Sequence, residues 1–326
     1  MTDLSAWSVS PLVLAPLELT GPASVRRLVT VTPGMCGSLK TLAATAGDWT
    51  WETVSAVCGL DVFNAREVGG APAYLAFYYS RIVSRDLQPR QLTFGDRIEV
   101  QSQVFDAGPL SVVTVHRIRR VATAVDAEAV PFDATEAFAN PRPDCLYVEN
   151  LNVWLSRRVG GGNTSLVYAP PVGFTQASLP KLPPSYSPRA SCASARYAHV
   201  LPDPGRESWV RVCPDLVVDH PVDLVDDVNG VGLLYFASFF SVAERLQLRQ
   251  WRALGRSGRA FLDRRIGDFR ICYLGNADID ATLSLRLRTS RDPLDPKQEK
   301  SDVLVRDVST DRTIAVVSSR CQVPSS

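Results

Sequence analysis

The chain has 326 residues, 45% of them apolar, and a formal net charge of +1. That length exceeds an ordinary single domain and gives two units of similar size enough area for a core each, while the near-neutral charge, free of long like-charge runs, excludes a nucleic-acid groove and a polybasic membrane patch. Seven dispersed cysteines with no CxxC pair, beside only three histidines, give no basis for a zinc site and suit free thiols in a reducing compartment.

Up to about residue 22 the sequence is a proline-punctuated lead-in with no cleavable apolar core. No apolar run is long enough to span a bilayer, so a cytoplasmic location is expected. Residues 25–31 predict a first strand. The turn Thr32-Pro33-Gly34-Met35-Cys36-Gly37-Ser38 opens an alanine-rich helix over 39–46, which Gly47-Asp48 is expected to break before a second helical piece carrying Trp49, Trp51, Val54 and Val57. Gly69-Gly70 ends the helical region, and the aromatic and β-branched content of 73–83 predicts a strand. A hairpin over 92–104 and 110–121, turning at Asp106-Ala107-Gly108-Pro109, and a strand over 146–155 complete the half. From about 160 to 204, Gly160-Gly161-Gly162 and the tract LPKLPPSYSPRAS suit an extended crossing segment.

The stretch 223–251 changes character halfway. Nearly every residue from 231 to 242 is apolar, so a helix there has no polar face and must be surrounded by protein. From Ala243, charged and apolar residues alternate as on a helix reaching a surface. Asp227 and Asn229 are its expected N-caps, Arg249 and Arg252 suit the negative end of its dipole, and Gly255 suits its close. Antiparallel strands then follow at Phe269–Ile271–Tyr273 and Leu283–Leu285–Leu287, with a hairpin of Val303 and Val305 against Ile314 and Val316. Strand, helix and antiparallel strands thus occur twice, in units 23–159 and 207–326 joined by a Pro/Ser/Gly-rich linker over 160–206.

Asp227-x-Asn229-x-x-Gly232-x-x-Tyr235 resembles the signature of hot-dog fold thioesterases, with Leu233 in place of the usual His. The fold class expected is α+β, a tandem double hot dog in which two antiparallel sheets each wrap a central helix. Taken together, VTPGMCGSL, GDWTWETVSAVCG, YLAFYYSRI, FGDRIEV, DVNGVGLLYFASFFSVAER and YLGN resemble the family of bifunctional acyltransferase/decarboxylases of leinamycin biosynthesis and related polyketide clusters, over about 31–305. The resemblance implies an enzyme that takes methylmalonyl-CoA, releases CO2 and leaves propionyl on the phosphopantetheine of an acyl carrier protein. It implies a homodimer, no cofactor beyond the thioester substrates, and a catalytic tyrosine in the strand 74–79.

By strand alternation Tyr74 and Tyr78 face one way, and Tyr79 faces the other with Leu75 and Phe77. Tyr78 and Tyr79, deeper in the run, are the favoured catalytic pair. Decarboxylating a malonyl thioester needs no base; it needs hydrogen-bond donors on the thioester oxygen and an apolar pocket for the carboxylate. Helix N-terminal amides beside glycines offer such donors at Met35, Cys36, Gly37 and Ser38, and at Asn229 and Gly230. A tyrosine hydroxyl can donate to the same oxygen or accept the acyl group as a phenolic ester. The rivals are a Cys36 thiolate, water activated by Asp227, Asn229 or Glu244 as in a thioesterase, and His220 as the base of a hydroxyacyl dehydratase. Each has a structural alternative: tyrosine and cysteine as packing, Asp227 as a cap, and Glu244 as a solvated partner of Arg245. His116 and His199 read as structural, and a non-catalytic module that binds a carrier protein is the third functional class.

Overall fold

The computed structural model describes residues 16–122, 132–158, 160–203 and 208–324. The first fifteen residues of the expected lead-in, and the expected unit boundaries at 159, 206 and 207, lie outside the described residues. In the first half β1 (Glu18–Gly21) and β2 (Ser24–Thr30) precede helix α1 (Leu39–Cys58), then β3 (Ala73–Ser84), β4 (Arg97–Asp106), β5 (Ser111–Arg120), the short α2 (Thr135–Ala139) and β6 (Cys145–Arg157). The crossing segment holds β7 (Leu166–Tyr168) and α3 (Pro188–Ala198). The second half has β8 (Val210–Arg211), β9 (Leu216–Pro221), α4 (Ser238–Ala253), α5 (Gly258–Asp263), β10 (Arg265–Tyr273), β11 (Thr282–Arg291), β12 (Gln298–Asp307) and β13 (Thr313–Gln322).

One topology occurs twice. In space the first half runs β2-β4-β5-β6-β3 and the second β9-β11-β12-β13-β10, each with its long helix between the first and second strands in sequence. The equivalent strands β3 and β10 pair antiparallel, with Arg81 opposite Arg270, and join the halves into one 13-stranded sheet. The fold is a tandem double hot dog, with a local two-fold axis at the seam.

Each helix forms for local reasons and is held by burial. Ser38 caps α1 by accepting the Thr41 N–H at 3.1 Å while Thr41 accepts the Ser38 N–H at 3.3 Å, a reciprocal box that satisfies two otherwise orphaned donors. Gly59 ends the helix in the left-handed conformation. Gly255 closes α4 as expected, at φ 73. Leu39, Leu42, Ala43 and Ala46 of α1 share one core with Phe239, Phe240, Val242 and Leu246 of α4, so the helices pack on each other inside the curled sheet. Each fully buried side chain such as Leu39, Phe240 or Phe269 contributes about 1.5–3 kcal/mol.

Four expectations need correction. Gly47-Asp48 does not break the first helix, which runs unbroken from Leu39 to Cys58. A Cβ at Gly47 would lie 2.5 Å from Phe236 Cζ, so the glycine serves close approach of an aromatic ring. The apolar run 231–236 is irregular chain, because long-range contacts hold it out of a helix. Leu234 N–H donates to Asn276 Oδ1 at 3.1 Å, and Gly232 turns with φ 76. Helix α4 therefore starts at Ser238, with no side-chain cap. Asp227 instead accepts the Asp223 N–H at 3.0 Å and His220 Nε2 at 2.6 Å.

The crossing segment, expected to be extended, carries the 11-residue helix α3, started by Pro188 in its first turn and by Ser187, which accepts the Ala190 N–H at 3.2 Å. Cys192 and Ala195 bury fully against the outer face of the seam. β3 departs from the expected alternation. Phe77 pairs with Asn152 while Tyr79 pairs with Leu151, so a bulge at Tyr78 reverses the alternation. Tyr79 consequently joins the outer-face cluster with Val83 and Cys192, and not Leu75 and Phe77.

Candidate active site

β3 and β10 pair only from Tyr79 to Val83 on the β3 side. Ahead of that point the two halves part, and a cavity of about 430 Å³ opens between Tyr74–Tyr78 of β3, the middle of α1, the 229–236 loop, and Tyr273 at the end of β10 with the 274–276 loop after it. Both halves build it, and the strap between them adds Tyr168 and Arg196.

The wall is apolar and aromatic, and the polar groups are few. Phe77 and Phe236 stack with centroids 3.5 Å apart and planes 12° apart. Arg196 Nη2, near the end of α3, donates to Tyr78 Oη at 3.3 Å. Burial raises the Tyr78 phenol, and the Arg196 contact partly offsets that. Solvent reaches Asp48, but the protein around it raises its carboxyl above the ordinary range, and Glu52 adds to the shift. Burial, with Asp48 second, pushes Tyr235 up to about 12. Tyr74 and Arg312 also line the cavity.

The 229–236 loop is held rigidly for this role. Asn229 Oδ1 accepts the N–H groups of Val231 and Leu233 at 3.1 and 3.0 Å. Asn163 Nδ2 donates to Gly232 O at 2.7 Å and to Ala277 O at 3.0 Å. Tyr273 Oη donates to Phe236 O at 3.1 Å. Such pre-organisation fixes the site before substrate arrives.

Of the residues singled out from sequence, Tyr78 and Asn229 line the cavity, while Tyr79, Met35, Cys36, Gly37, Ser38 and Gly230 do not. Tyr79 is 2% exposed within the outer-face cluster, against which Tyr78 also packs in part, and burial raises its phenol far above the usual range, with Glu149 second. The two-fold at the seam relates the open cavity to a position between 35–38, α4 and the start of β10. There Arg90 Nη2 and Arg264 Nη2 both donate to Glu244 Oε1 at 3.0 Å, and Arg90 Nη1 donates to Gly37 O at 2.9 Å. That second position is plugged by side chains. Glu244 is thus buried between two arginines, where a solvated pair with Arg245 was expected.

The histidines have partners of their own. His116 is fully buried between Thr50 Oγ1 at 2.8 Å and Ser102 Oγ at 2.7 Å, and burial, then Arg27, lowers it to about 3. His220 pairs with Asp227 away from the main cavity. Sequence reasoning missed Asp48, read as part of a helix break, and Arg196, which had no local signal.

Residues 26–202 match the family model described as the LnmK N-terminal Hot Dog Fold domain. Among solved structures, the chain is similar to the 12:0-ACP thioesterase from Umbellularia californica, at 11% identity and TM-score 0.54, covering 94% of this chain and 99% of that one. It is also similar to a protein assigned as an oleoyl thioesterase from Lactobacillus plantarum, at 13% identity and TM-score 0.55, covering 96% and 99%. At such identities the likeness shows the fold alone. No curated protein matches the chain.

Proposed function

The chain belongs to the LnmK N-terminal Hot Dog Fold family, and from that premise we propose that it decarboxylates methylmalonyl-CoA and passes the propionyl group to the phosphopantetheine thiol of an acyl carrier protein. The observation that carries this reading is the Tyr78 hydroxyl held by Arg196, both residues lining the cavity.

The substrate's thioester oxygen is taken to face Tyr78 and Arg196, with its carboxylate toward the apolar wall. Loss of CO2 breaks the bond from Cα to the carboxylate and sends the electron pair to the thioester oxygen, where fixed donors stabilise the enolate. The enolate carbon then takes a proton from water, which reaches the cavity wall at exposed Asp48. For transfer, the Tyr78 oxygen attacks the thioester carbonyl and the CoA thiolate leaves with the phenolic proton. The carrier thiol then displaces the tyrosyl ester and returns a proton to Tyr78.

The test is a set of Tyr→Phe substitutions assayed with methylmalonyl-CoA and holo carrier protein. Tyr78→Phe is expected to lose about 10²–10³-fold in turnover, the usual effect of deleting one pre-organised donor. Tyr79→Phe, on the far side of the sheet, is expected to stay near wild type. Full turnover in Tyr78→Phe would contradict the role given to that hydroxyl. A second reading, hydroxyacyl dehydratase or thioesterase, draws on the His220–Asp227 contact at 2.6 Å, which has the form of an oriented base.

A further inference from the structure

Resting on the acyl-thioester reading above, we propose that the Phe77–Phe236 stack sets the length of acyl group this cavity accepts, restricting it to short acyl chains. One ring comes from each half of the molecule, and the pair closes the inner end of the cavity against α1. The stack is built into the fold at three points. A Cβ at position 47 would come within 2.5 Å of Phe236 Cζ and 3.1 Å of Phe77 Cζ, so α1 must carry glycine for the rings to sit there. Tyr273 fixes Phe236 from behind, with its hydroxyl on Phe236 O at 3.1 Å and its ring edge-on at 6.4 Å. Tyr235 packs edge-on at 5.1 Å.

Beyond the stack lies the close-packed interface of the two central helices, where Ala43 and Ala46 of α1 and Phe240 and Ala243 of α4 are at most 3% exposed. The rings therefore stand between a 430 Å³ cavity and the apolar space into which an extended acyl chain would run. Removing one ring joins its volume to the cavity in that direction, and the new surface is apolar. An apolar pocket discriminates by about 10–200-fold per methylene, so the change is readable in a chain-length series.

The experiment measures binding of non-hydrolysable thioether analogues of acetyl-, butyryl-, hexanoyl- and octanoyl-CoA to the full chain by calorimetry, for wild type, Phe236→Ala, Phe236→Leu and Phe77→Leu. Wild type is expected to bind the short analogues and to lose affinity at least tenfold at hexanoyl. The variants are expected to move that loss to a longer chain. The leucine variants keep an apolar side chain and decide the matter where Phe236→Ala does not fold, as judged by circular dichroism. An unchanged cut-off in folded leucine variants overturns the inference and leaves the acyl-thioester reading standing. Failure of wild type to bind any analogue overturns that reading and the inference with it.

Discussion

Replacing Glu149 by Gln tests how the seam between the halves is held. Glu149 lies on β6, 3% exposed, and its carboxylate accepts the Tyr186 hydroxyl from the crossing segment. Burial is the main cause that raises its carboxyl to about 7 from an ordinary 4.5, with Arg81 and the Tyr186 contact opposing. Between those two values the folded state keeps a proton that the unfolded chain has released. The Glu149 contribution to stability therefore falls as pH rises through that window and levels off above it. At about 1.4 kcal/mol per tenfold change in proton affinity, ionising Glu149 costs the folded state about 3 kcal/mol by about pH 8. Asp268 nearby has the opposite sign. The arginines around it overcome its desolvation and hold its carboxyl below the usual range, so its contribution is lost only on acidification below the Glu149 window. Gln keeps a carbonyl oxygen for Tyr186 and cannot ionise. Buried His116, lowered to about 3, adds a contribution that rises with pH up to about 6.5 in both proteins, so the readout is their difference. In urea unfolding, Glu149→Gln should gain on wild type as pH rises through the Glu149 window, by up to about 3 kcal/mol. Parallel profiles for the two proteins would refute the reasoning.

Asp268, 2% exposed, accepts Arg81 at 2.9 Å and Arg320 at 3.2 Å, with Arg270 at 3.5 Å. Asp268→Ala leaves buried Arg270 and half-buried Arg81 and Arg320 without their common carboxylate and should cost about 3–5 kcal/mol in urea unfolding, against under about 1 kcal/mol for an exposed pair. His220→Ala should leave acyl transfer near wild type, because His220 does not line the cavity. A dehydratase or hydrolase built on the His220–Asp227 pair would be abolished instead, which product analysis of the acyl-thioester reaction distinguishes.

Much of the fold was legible because strand patterning is local. Alternation at Leu283, Leu285 and Leu287, or at Val303 and Val305, sends residues to the core whichever strand lies alongside, and these residues are buried together as expected. The features that make the site are long-range. The bulge at Tyr78 exists only in the register of β3 against β6, so alternation alone put Tyr79 on the wrong face. The run 231–236 is as apolar as a buried helix, and its escape from helix depends on Asn276, forty-two residues from Leu234. Gly47 has the sequence look of a helix breaker, and its actual reason is a ring contributed by the other half. Arg196 reaches Tyr78 from a segment whose proline and serine content signals only a connection.

The acyl group left on a carrier protein tests the central claim most directly. Wild-type protein, methylmalonyl-CoA and a holo acyl carrier protein are incubated, and the intact carrier is weighed by mass spectrometry beside a reaction without enzyme. The expected carrier is heavier by a propionyl group, formed with release of CO2 and free CoA only when the enzyme is present. A carrier left at its holo mass, or one carrying an intact methylmalonyl group, would contradict the claim.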